Sequence, residues 1–296
     1  MIPSRKGPQS LPWGPLLLGL ALGWPGSALL AQGDCFPGKD SHEAQLFAAL
    51  AVPLAFSLAE APHVGVPGQV SIGLEGTYLP SISEEIRTPT ICRPGKGPEH
   101  TDLLFAVPRP RVVVGLPAGL VLEGSWIPPV RLNGVKANLV GVALQRSFSI
   151  PNRPAVATLR LHATAGLIRA PITCEEAALR DPTSECFQGT LSDDRYHPNT
   201  FGAEGALSWA VARGRLRPFV GGGVNLLHPR FQVNFTNQFG STDNRKIEVD
   251  LTRGALFGGA SWSPDDRFAV SGEVYGAPGD DVTGRVLVSY SLGSGT

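Results

Sequence analysis

The sequence predicts an all-β chain: an antiparallel, up-and-down transmembrane β-barrel of about 10 strands (eight to twelve fit) preceded by a short helix. Three observations carry this. Strand-length segments alternate apolar and polar residues with a period of two. The connections between them alternate between short and long. The chain opens with the pattern of an exported protein.

The alternation is clearest over residues 155–168. Ala157, Leu159, Leu161, Ala163, Ala165 and Leu167 share one face, and Thr158, Arg160, His162, Thr164 and Gly166 share the other. One face suits hydrocarbon and the other suits water. The same code recurs over 70–78, where Val70, Ile72, Leu74 and Tyr78 oppose Ser71, Glu75 and Thr77. It recurs over 201–211, 268–275 and 285–292, and less cleanly over 110–116, 119–128, 135–147, 217–228 and 247–262, which brings the total to ten. Gly and Pro in several of the weaker segments permit bulges that shift the phase.

The connections supply the topology. Pro117-Ala118-Gly119 and residues 149–154, 214–218 and 263–266 are tight and turn-like. Long loops at 80–108 and 171–199, with intermediate ones at 129–134, 234–245 and 276–282, lie between them. Short turns on one rim and longer loops on the other, with an even strand count, describe a barrel whose termini both lie on the turn side.

Arg5 and Lys6 precede an apolar run at 16–22, and small residues follow at Gly26, Ala28, Ala31 and Gly33. This three-part order predicts a signal peptide over 1–33, cleaved between Leu29 and Asp34. Pro25 and Gly26 break the run, which is too short for a membrane anchor. Asp34 stands where a lipidated Cys35 would need a small residue, so lipidation is not expected. No later stretch reaches the roughly 18 apolar residues of a helical span. A net charge of zero offers no footprint for nucleic acid.

Residues 34–67 form a separate N-terminal segment, and 68–296 form the barrel. Leu46, Leu50, Leu54 and Leu58 recur every fourth residue with Phe47, Ala51 and Ala55 beside them, predicting an amphipathic helix over 41–60 that Pro53 kinks or splits. Four cysteines in an exported chain favour two disulfides, and three pairings are available. Cys174 and Cys186 share one loop and pair most simply, which leaves Cys35 for Cys92. With the loop 80–108 on the outer rim, that second bond requires the N-terminal segment to thread the barrel as a plug. A peripheral helix at the turn-side mouth, with other thiol pairings, is the alternative.

Turning the polar faces inward puts Glu75, Glu123, Glu204 and Glu273 in the lumen with Lys136, Arg160 and Arg285, and His162 beside them. Enclosed charges cost several kcal/mol each unless paired. The set therefore reads either as an ion-pair network filling a narrow lumen or as the lining of a polar path.

With these features assembled, residues 68–292 resemble bacterial outer-membrane β-barrel proteins, through the signal peptide, the dyad strands, the loop asymmetry and the closing strand at 285–292. The likeness is to porin-like families in which a helical segment precedes the barrel, and more loosely to fatty-acid-transporter barrels. It implies the bacterial outer membrane as location, with membrane lipid and the barrel-assembly machinery as partners. One departure is that Tyr290 is followed by Ser-Leu-Gly-Ser-Gly-Thr, whereas such closing strands usually end the chain on an aromatic residue.

Catalysis has little support in the residues. Asp193, Asp194 and His197 cluster near the outer rim, where a barrel protease would activate water, but a polar loop produces such a cluster readily. No nucleophile elbow, zinc helix or phosphate-binding loop is present, and the six histidines lack metal-ligand spacing, so neither cofactor nor metal is expected. The expected function is a passive channel or transporter for small solutes, apolar ones included. A sealed barrel displaying loops 80–108 and 171–199, and a secreted soluble β protein, are the alternatives.

Overall fold

The computed structural model describes residues 33–293, so the predicted signal peptide lies outside them apart from its last position. Ten strands close a barrel: β1 Val70–Tyr78, β2 Ala106–Gly115, β3 Leu120–Ile127, β4 Val135–Ser149, β5 Ala155–Ala170, β6 Thr200–Trp209, β7 Leu216–Leu227, β8 Leu251–Trp262, β9 Phe268–Ala277 and β10 Asp281–Ser291. Each pairs antiparallel with its neighbour in sequence, and β10 returns to β1 with Tyr290 opposite Ile72.

The period-two code reads out directly. Leu159 and Leu161 of β5 are exposed on the outside, whereas Arg160 and His162 between them are buried inside. The outer surface of the wall is largely apolar, with Ile72, Leu74, Val142, Val220, Leu256 and Val286 exposed. Phe148, Trp209, Trp262 and Tyr290 form an exposed aromatic girdle near the turns, and Tyr78, Trp126 and Phe201 stand toward the loop rim. An apolar band between aromatic girdles is the surface a bilayer requires.

On the loop rim the connections fold into a cap. Short strands at Asp194–His197, Arg230–Gln232 and Lys246–Glu248 continue the sheet beyond β5, and Cys35 pairs in parallel with Ile247 at its edge. Phe47, Tyr196 and Phe231 pack at the centre of the cap, with ring centroids 5.9 and 5.8 Å from Phe47. The disulfides are Cys35–Cys92 and Cys174–Cys186.

Helix α1, His42–Leu54, starts where the Ser41 hydroxyl accepts the Ala44 N–H at 3.2 Å and ends one residue after Pro53. It is shorter than the helix the leucine spacing predicts over 41–60. It is also buried on nearly every side, among Phe47, Ala48, Ala51, Val52 and Leu54, because it lies within the cap and the barrel mouth and not on a surface. From Ala55 the chain descends through the lumen. Ala61 N–H donates to Ser261 Oγ at 2.7 Å, Ser208 Oγ donates to the Pro62 carbonyl at 2.8 Å, and Gly68 N–H reaches the Gly115 carbonyl at 2.9 Å just before β1 begins.

One seam of the wall is incomplete. β2 pairs with β1 along its full length to Ala106 opposite Tyr78, but its pairing with β3 stops at Arg111 opposite Ser125. Pro108 and Pro110 occupy the unpaired stretch of β2, and Pro128 and Pro129 follow β3. Backbone donors left open in hydrocarbon cost several kcal/mol, and proline has none to leave open. The seam lies in the loop-side half of the wall.

Candidate functional site

The lumen is occupied by the descending segment 55–62, and the charged wall residues grip it. Four carboxylates, Glu75, Glu123, Glu204 and Glu273, face four guanidiniums, Arg109, Arg111, Arg160 and Arg285, all at most 5% exposed. Their order follows from the strand register. Glu75 lies opposite Arg109, Arg160 opposite Glu204, and Glu273 opposite Arg285. These three pairs therefore lie between neighbouring strands along the wall.

Arg285 contacts Glu273 at 2.8 Å and approaches Glu75 at 3.9 Å; Arg111 bridges Glu75 and Glu123, each at 3.1 Å; Arg160 bridges Glu123 at 3.2 Å and Glu204 at 3.0 Å. His162 Nε2 lies 3.3 Å from the second oxygen of Glu204. Arg160 and Glu123 meet across β4 on a diagonal: Glu123 stands opposite Ala143 and Arg160 opposite Gln145, and the small Ala143 leaves the space between them open. Alternation of sign lets each charge offset the burial of the next.

The guanidiniums spend their remaining donors on main-chain carbonyls of the segment. Arg109 reaches Leu54 O at 2.9 Å and Ala55 O at 3.3 Å; Arg111 reaches Ser57 O at 2.7 Å and Leu58 O at 3.1 Å; Arg160 reaches Phe56 O at 2.7 Å; Arg285 reaches Val52 O at 3.0 Å. Leu54 O, at the last residue of α1, is a carbonyl that the helix C-terminus leaves without an intrahelical partner, and cations are favoured at that end. Phe56 sits fully buried among Arg109, Arg111 and Arg160, whose guanidinium carbons lie 5.8, 4.3 and 5.0 Å from its ring centroid. Gly141 makes room for that ring: a Cβ there would stand 2.9 Å from Phe56 Cγ and 2.4 Å from Ser125 Oγ. On the opposite side Glu273 accepts from Ser57 Oγ and from the Ala59 N–H.

Of the residues the sequence assigns to the lumen, Glu75, Glu123, Arg160, His162, Glu204, Glu273 and Arg285 point inward. Lys136 does not: it is exposed on the outside of β4, near the loop rim beside Arg131. It shares its face with the exposed Val140, Val142 and Leu144, so period two excludes it from the inner face that holds Leu139, Gly141 and Ala143. Arg109 and Arg111 take the missing positive places. Their alternation with prolines marks a strand face, but a strand begun at 110 omits Arg109. The carbonyls they hold carry no mark in the side-chain sequence.

Above the grip lies an apolar cavity of about 110 Å³. Leu50, Pro53 and Leu54 of α1 form one side, and Val107, Ile127, Val135 and Leu139 of β2 to β4 form the wall, with Leu103 and Leu104 from the loop over it. Val107 and Ile127 flank the unpaired seam.

The rim acids are committed elsewhere. Asp194 accepts the N–H groups of Thr173 at 2.6 Å and Asn234 at 2.8 Å, and burial raises its pKa. Asp193 pairs with Arg169 at 3.3 Å, and His197 Nδ1 lies 2.7 Å from Gly166 O. Beneath the outer face of the cap, buried Arg93 is paired with Glu99 and Glu185; burial pushes the Glu99 carboxyl up to about 7 against the opposing pull of Arg93.

A closed antiparallel ten-stranded wall with an apolar exterior and a polar, plugged interior defines a β-barrel of the outer-membrane type. No protein-family model and no curated protein sequence matches the chain. Similar solved structures include Ail, the attachment invasion locus protein of Yersinia pestis, at 10% identity over 77% of this chain and 100% of that one, TM-score 0.32. They also include the CymD monoaromatic hydrocarbon channel, at 10% identity over 77% and 72%, TM-score 0.35. A third is the outer membrane protein Omp33 of Acinetobacter baumannii, at 8% identity over 77% and 100%, TM-score 0.29.

Proposed function

We propose that the protein sits in the bacterial outer membrane with its cap outward and serves the passive passage of small apolar solutes, which it first takes into the cavity beside α1. The observation that carries this reading is the pairing of an apolar cavity with a lumen sealed below it by a charge-gripped segment. A sealed polar lumen disfavours ion flow, whereas an apolar space of about 110 Å³ takes a single small ring once its walls part slightly. An apolar protein cavity of about 150 Å³ takes up benzene. The unpaired seam supplies the path between cavity and bilayer, because the backbone there can part without breaking strand pairing.

Saturation-transfer NMR with toluene, on protein in lipid nanodiscs, tests the reading. Saturable binding is expected, and Ala137→Phe, which fills the cavity from β4, should abolish it. Binding that is absent, or unchanged in Ala137→Phe, overturns the proposal. Steady ohmic conductance in planar bilayers would instead favour a polar channel.

A further inference from the structure

We infer that Arg109 is a latch through which occupancy of the apolar cavity loosens the lumen segment. This rests on the cavity being a solute site and adds its regulation.

Arg109 differs from the other three lumen arginines. Arg111, Arg160 and Arg285 each touch a carboxylate at 3.1 Å or closer, but the nearest to Arg109 is Glu75 at 3.7 Å. Both of its hydrogen bonds go to the segment, at Leu54 O and Ala55 O. It is also the arginine carried on the part of β2 that lacks β3 pairing, between Pro108 and Pro110. Its neighbour Val107 lines the cavity from the wall, and its acceptor Leu54 lines it from the opposite side with Pro53. The latch thus joins the two walls of the cavity at its floor.

A space of about 110 Å³ is smaller than the roughly 150 Å³ that holds benzene, so a monocyclic solute must widen it. β3 remains paired to β4 as far as Ile127 opposite Leu139, while the loop-side half of β2 is held on its β1 edge only. β2 therefore yields first and carries Arg109 away from Leu54 O. The grip of Arg111, Arg160 and Arg285 remains, so occupancy loosens the segment without expelling it.

Hydrogen exchange of the peptide spanning 55–62, read by mass spectrometry on full-length mature protein in lipid nanodiscs, tests this with toluene as the probe. In the wild type toluene should speed exchange about tenfold, the weight of one hydrogen bond from a charged donor. Arg109→Met should exchange at the faster rate without toluene and respond no further. Arg109→Lys, which keeps the charge and one donor, should fall between, and heat-modifiable gel mobility identifies folded barrels in each sample. Toluene that binds by saturation transfer yet leaves exchange in 55–62 unchanged overturns the latch and spares the solute site. Toluene that does not bind overturns both. An Arg109→Met variant that still responds as the wild type does also overturns the latch.

Discussion

Arg160→Met tests whether the lumen is dry. In the folded protein Arg160 is 2% exposed, bridges Glu123 and Glu204, and donates to the Phe56 carbonyl at 2.7 Å. After its removal Glu123 keeps Arg111 at 3.1 Å, but Glu204 keeps only His162 at 3.3 Å. Glu204 becomes the uncompensated charge. Removing one partner of a buried pair costs about 3–5 kcal/mol. With a urea dependence of about 2 kcal/mol per molar, the unfolding midpoint should fall by roughly 2 M. Tryptophan fluorescence of protein in detergent micelles, titrated with urea to equilibrium from both directions, reads that midpoint. The double variant Arg160→Met, Glu204→Gln should recover part of the loss, because the orphaned charge is gone. A loss under about 1 kcal/mol, the range of a solvated surface pair, would refute the reasoning and show that water fills the lumen around these charges.

Two further outcomes follow from the same geometry. Gly141→Val places side-chain atoms where the Phe56 ring sits, so exchange in 55–62 should rise well above wild type; unchanged protection would mean that Phe56 is not seated among the arginines. In the cap, the Glu99 carboxyl titrates near 7, above its ordinary value of 4.5, so the folded state holds its proton more tightly than the unfolded one. Stability of the cap should therefore fall as pH rises from about 4.5 to about 7 and level off outside that window. Limited proteolysis of loop 79–105 should be faster at pH 7.5 than at pH 5, and Glu99→Gln should flatten the difference. A wild-type rate independent of pH once the protease's own profile is divided out would contradict this.

The barrel was legible because its information is local. Period two in side-chain polarity reports which face meets lipid, and it does so strand by strand, as Leu159 and Leu161 against Arg160 and His162 show. Loop lengths report connectivity in the same way. Lys136 marks the limit of a polarity argument: above the bilayer a lysine on the outer face costs nothing, so its charge says nothing about direction, whereas the phase set by Val140, Val142 and Leu144 does. Arg109 and Arg111 were obscured because prolines interrupt the strand, and it takes the missing β3 partner to explain why those prolines are tolerated.

By itself the sequence determined the fold class, the ten strands, the lipid-facing residues and most of the charges that the wall turns inward, because each depends on alternation along a few residues. Tertiary structure alone decided what those charges do. The carbonyls of residues 52–58 are identical in every sequence; only the descent of this segment through the lumen brings them within 3 Å or so of four arginines. The cavity and the open seam are likewise products of closure. They arise from which strands become neighbours and where their pairing stops, and neither is a property of any one strand.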